Sequence, residues 1–66
     1  MTVRDLRKIF SDCWFSVTCD SWGEDYEIAE DEDSVLFEQY LDKKVKDCFP
    51  YVGVCDILYI CCVIEE

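Results

Sequence analysis

An α+β fold is what this sequence predicts: a single domain over residues 1–66, ordered αββαββ, with an antiparallel hairpin sheet and two short helices. Three observations lead there. Apolar residues recur at helical spacing near the start and again after Asp33. Strict alternation runs from Cys13 to Asp20, and an unbroken apolar run extends from Ile57 to Ile64. Apolar residues make up 52% of the 66-residue chain and aromatics 15%, a composition that folds, whereas an acidic disordered tail lacks such residues.

The first helix is expected from Val3 to Phe10. Thr2 and Asp5 have the spacing of a capping box, Val3, Leu6 and Phe10 form the stripe with Ile9 beside it, and Arg4, Arg7 and Lys8 face water. A strand from Cys13 to Asp20 turns Cys13, Phe15, Val17 and Cys19 to the core and Trp14, Ser16 and Thr18 away from it. Ser21 to Glu24 supply a turn, and a second strand, Asp25 to Ala29, returns with Tyr26 and Ile28 inward. Asp25 and Glu27 then face outward, with Asp31 and Asp33 continuing that parity. Alternate strand residues lie about 6.6–6.8 Å apart, loosely twice the 3.4 Å rise per phosphate of one DNA strand.

Asp33 or Ser34 caps a second helix whose apolar side is Val35, Leu36, Phe37, Tyr40 and Leu41, with Lys43 and Lys44 near its end as the helix dipole favours. Val45 to Phe49 reads as a third strand, with Pro50 at its end or on an edge because proline cannot donate to a ladder. Ile57 to Ile64 is the last strand. Both its faces are apolar, so it lies centrally or is covered by a second chain, and a homodimer is a possible consequence.

Charge separates this chain from an ordinary small domain. Sixteen acids face six Lys and Arg, for a formal net charge of −10, and no Lys, Arg or His occurs between Lys8 and Lys43. Half of the acids fall between Asp20 and Asp33. Two exposed carboxylates about 7 Å apart repel by roughly 0.6 kcal/mol in water. Several such pairs rival the roughly 3–5 kcal/mol that one small core supplies. A one-signed block of this kind selects cationic partners. The expected binding residues are Trp22, Glu24, Asp25, Glu27, Glu30, Asp31, Glu32 and Asp33, with Trp22 at the hairpin tip as an anchor.

Other chemistries find little support. Without histidine there is no Ser-His or Cys-His nucleophile pair, and Gly23 and Gly53 make no phosphate loop, so the chain reads as no enzyme and takes no cofactor. The six cysteines lack CxxC spacing, and Cys61 and Cys62 would point to opposite faces of a strand, so they read as reduced packing residues with no metal. Two groups of three cations, Arg4, Arg7, Lys8 and Lys43, Lys44, Lys46, are too few to offset phosphate repulsion, which argues against direct nucleic-acid binding. The polar opening from Met1 to Lys8 lacks the apolar core of an export signal, and Ile57–Ile64 is too short to span a bilayer, so no membrane partner and a cytoplasmic location are expected.

The opening Thr2 to Phe10 resembles the "TVxDLxxIF"-like helix that begins many small acidic proteins of phages and mobile elements, and Val45-Lys46 and Ile57 to Glu65 are similar to their last two strands. In charge and size the chain also resembles anti-CRISPR inhibitors of the DNA-mimic type. That resemblance implies an inhibitor of a host nucleic-acid-handling defence protein, in which the acidic surface occupies the basic DNA- or RNA-binding groove of a Cas nuclease or similar effector. The alternative is a small structural or assembly homodimer of phage origin whose acids serve solubility only.

Overall fold

The computed structural model describes residues 1–23 and 26–65. Two helices, α1 (Val3–Ile9) and α2 (Ser34–Glu38), accompany four strands, β1 (Trp14–Thr18), β2 (Ile28–Ala29), β3 (Val45–Val52) and β4 (Leu58–Ile64). The element order αββαββ is the expected one. Short 3₁₀ turns follow β1 at Asp20–Trp22 and join β3 to β4 at Val54–Asp56.

The sheet order is β2-β1-β4-β3. The sequence-neighbouring pairs β1–β2 and β3–β4 are antiparallel hairpins, and β1–β4 is parallel. The expected antiparallel hairpins are present, and their parallel junction makes the sheet as a whole mixed. The apolar run of β4 suits a place inside the sheet, where β3 flanks it on one side and β1 on the other. β4 thus lies centrally, one of the two placements its composition allows.

Register divides the sheet into two faces. Phe15, Val17, Ile28, Ile60, Cys62 and Ile64 share one, and α1 packs on it through Val3 and Leu6, α2 through Phe37, and the turn after α2 through Leu41. The inward parity expected for β1 is present: Phe15, Val17 and Cys19 are buried, and Cys13 packs at the core margin. Trp14, Ser16, Thr18, Tyr59, Cys61, Val63, Phe49 and Tyr51 share the other face, and no helix among the described residues covers it.

Local chemistry sets the boundaries. Thr2 and Asp5 close the expected capping box, the Asp5 backbone N–H donating to Thr2 Oγ1 at 3.3 Å and the Thr2 N–H to Asp5 Oδ2 at 3.0 Å. Such a cap is worth about 0.5–2 kcal/mol, a sizeable share of a small domain's stability. α1 stops one residue early, so Ile9 and Phe10 are exposed rather than part of the buried stripe. Its start is pinned to the chain before β3: Arg4 N–H donates to Leu41 O at 2.8 Å, and Val45 N–H to Met1 O at 2.8 Å.

β2 is much shorter than expected. Tyr26 is exposed, its carbonyl accepting from the Thr18 hydroxyl, and the chain turns immediately after Ala29, with Asp33 N–H donating to Ala29 O at 3.0 Å. Glu27, Asp31 and Asp33 consequently do not form the expected outward row at strand spacing, because β2 covers only Ile28–Ala29; the expectation for Asp25 falls outside the described residues. α2 buries Phe37 and leaves Val35 and Leu36 exposed; it ends at Glu38, so Lys43 and Lys44 lie beyond its last turn. β3 runs on to Val52 with Pro50 inside it, which the edge position permits.

Candidate functional site

The antiparallel register of β3 and β4 sets Tyr51 directly beside Tyr59 on the helix-free face, and their rings stack with centroids 5.3 Å apart at 13°. Gly53 makes room for this. A Cβ there would lie 2.6 Å from Tyr59 Cε1, so any side chain would push the ring away. Ser16 and Cys61 on the same face of the sheet are buried.

Each phenol is tied to a carboxylate of the acidic block. Tyr51 donates to Glu27 Oε1 at 3.0 Å, with Ser16 Oγ 3.4 Å from the same hydroxyl. Tyr59 donates to Asp31. The hydrogen bond to Asp31 pushes the Tyr59 phenol up to about 12, helped by burial and by the negative charge of Asp31 and Glu32. Burial chiefly raises Tyr51 as well, opposed by the Ser16 hydroxyl and reinforced by the Glu27 carboxylate. Both phenols therefore stay protonated donors near neutral pH and hold Glu27 and Asp31 in fixed positions. Glu27, Ala29, Glu32, Tyr51, Gly53 and Tyr59 line a shallow depression of about 110 Å³. Pockets for small organic ligands usually measure about 300–1,000 Å³, so this depression is smaller than such a site.

The block is less isolated in space than in sequence. Cations from both ends of the chain fold back onto it: Arg7 pairs with Glu30, Lys46 with Asp20, and Arg4 with Asp42 at 3.0 Å. The Arg4 guanidinium holds the Asp42 carboxyl below the usual carboxylate range. The Arg7 guanidinium also lies 5.7 Å from the centre of the Phe37 ring, so it sits between an aromatic face and a carboxylate. Glu30 is thereby turned toward α1, whereas its neighbour Asp31 turns to Tyr59 on the opposite face of the sheet.

The expected binding residues divide accordingly. Glu27, Asp31, Glu32 and Asp33 are exposed, and among the described residues none of them has a basic partner. Glu30 is neutralised by Arg7 and mostly buried. Trp22 is half-buried at the core margin, its indole edge-on to Tyr26 at 5.5 Å and to Tyr40 at 5.2 Å, so it packs the hairpin end and does not project as an anchor. Glu24 and Asp25 lie outside the described residues. On the tyrosine face Trp14 and Phe49 are exposed, 43% and 47% accessible; Phe10 and Tyr26 are exposed as well. Sequence parity places Trp14 away from the core, but the Tyr51–Glu27 and Tyr59–Asp31 bonds depend on strand register, which no local pattern encodes.

Cys61 and Cys62 lie on opposite faces of β4, and burial raises both thiols, Cys62 to about 12. Cys48 and Cys55 are exposed. Among the described residues no three Cys, Asp or Glu side chains converge as metal ligands, and no helix is long and apolar enough to cross a membrane. Comparison with family models, with curated proteins and with solved structures gives no match.

Proposed function

We propose that this protein is a non-catalytic inhibitor that binds a basic nucleic-acid-handling protein, with the nucleic-acid groove of a Cas effector as the target that its charge and size suit best. The observation that carries the reading is the set of exposed carboxylates Glu27, Asp31, Glu32 and Asp33, which lack basic partners among the described residues while Arg4, Arg7 and Lys46 are engaged elsewhere. Two of these carboxylates are held by tyrosine hydroxyls. Fixing a charged side chain before contact lowers the ordering cost of binding. Opposed charge speeds encounter and selects the partner.

Phage plating on a CRISPR-immune host that expresses the protein tests the reading. Restored plating is expected against at least one Cas type. The variant carrying Asp25→Asn, Glu27→Gln, Asp31→Asn and Asp33→Asn should restore none, although it folds. Equal protection by this variant would contradict the mechanism, and the absence of protection against every Cas type tried would contradict the target.

A further inference from the structure

The helix-free sheet face is the largest feature that the charge argument leaves unused. Tyr51 and Tyr59 stack against one another on it, and Trp14 and Phe49 stand exposed on it. Carboxylates mark its margin: Glu27 and Asp31 are held by the tyrosines, and exposed Asp47 shares the face through its pairing with Val63. Among the described residues no lysine or arginine pairs with any of these three.

We infer that this face is a docking platform for arginine side chains of the basic partner, with Trp14, Phe49 and Tyr51 taking guanidinium planes and Glu27, Asp31 and Asp47 their charge. The inference rests on the function proposed above and adds where the partner sits and which cation it presents. Charge complementarity selects the occupant. A second copy of this chain would bring another net −10 against the same carboxylates, whereas an arginine-bearing surface is attracted to both ring and acid. Guanidinium stacks on aromatic planes and is more weakly hydrated than ammonium, so arginine is preferred to lysine on such a platform. The chain already uses this arrangement internally, with Arg7 over the Phe37 ring and paired to Glu30.

Titration with a nona-arginine peptide and a nona-lysine peptide, followed by amide chemical-shift mapping at near-physiological salt, tests it. The expected shifts fall on β1 and β3 around Trp14, Phe49 and Tyr51, with arginine binding severalfold tighter than lysine. Trp14→Ala and Phe49→Ala should each weaken the arginine peptide on the order of threefold to tenfold. Both residues are exposed, so the fold is retained, and circular dichroism verifies this. Shifts centred on the exposed Val35 and Leu36 of α2, or full affinity in both alanine variants, would overturn the platform. If those two variants bind normally while Glu27→Gln with Asp31→Asn does not, only the docking face is wrong. If the charge variant binds normally too, the proposed function falls with it. A sedimenting dimer that shields the Trp14 indole would overturn the choice of occupant.

Discussion

Tyr59 is the residue on which the described site turns. Its hydroxyl fixes Asp31, its ring lies on Tyr51, and Gly53 exists in a form that lets it do both. The phenol is pushed up to about 12, chiefly by the Asp31 hydrogen bond. An ultraviolet titration should therefore show a late phenol step near pH 12. Asp31→Asn should move that late step down. The linkage has a definite sign. The folded state holds this proton more tightly than the unfolded chain, so the contribution is complete below about pH 10 and is lost as pH rises toward 12. A titration in which Asp31→Asn leaves every phenol unchanged would remove Asp31 as the cause.

At the scale of elements, the β3–β4 connection carries the left-handed non-glycine backbone found among the described residues. Cys55 and Asp56 follow one another at φ 60° and 59°, both left-handed, in a turn closed by Gly53 N–H donating to Ile57 O at 2.9 Å. Consecutive left-handed residues are the conformation that Asn-Gly supplies in tight hairpins, and other side chains pay roughly 1–2 kcal/mol there. Cys55→Asn with Asp56→Gly should stabilise the protein by about 1 kcal/mol, seen as a melting temperature several degrees higher. An unchanged or lower midpoint would mean that this turn is not strained.

The same elements show what the sequence makes legible. The capping box of α1 and the buried parity of Phe15, Val17 and Cys19 follow from local pattern alone, whereas the apolar run of β4 leaves two placements open and only the pairing decides for the central one. Tyr26 reads as inward because alternation suggests a strand from Asp25, but the chain pairs only at Ile28 and Ala29 before turning away. The parallel β1–β4 pairing and the tyrosine–carboxylate bonds join residues more than twenty positions apart, so they appear only once register is known. Arg7–Glu30 and Lys46–Asp20 are hidden for the same reason, and the acidic block therefore looks more isolated along the chain than it is in space.

For the whole molecule, self-repulsion sets the terms. A formal charge of −10 is carried on a body with a radius of gyration of 10.7 Å, comparable with the screening length of about 10 Å in ordinary salt. Three ion pairs bring the few cations onto the block without balancing it. Raising sodium chloride from about 10 mM to about 300 mM shortens the screening length severalfold and should raise the melting temperature by several degrees. A midpoint indifferent to salt would show that repulsion costs the fold little, and the acids would then need no function to explain them.

The central claim is that exposed carboxylates on one part of the surface grip a cationic partner. The most direct measurement is the affinity for an arginine-rich peptide over the same salt range, for the native chain beside the Glu27→Gln, Asp31→Asn, Glu32→Gln, Asp33→Asn variant. Native affinity should fall steeply as salt rises, and the variant should bind weakly throughout with a nearly flat dependence. Equal affinity and equal salt dependence in the two proteins would contradict the claim.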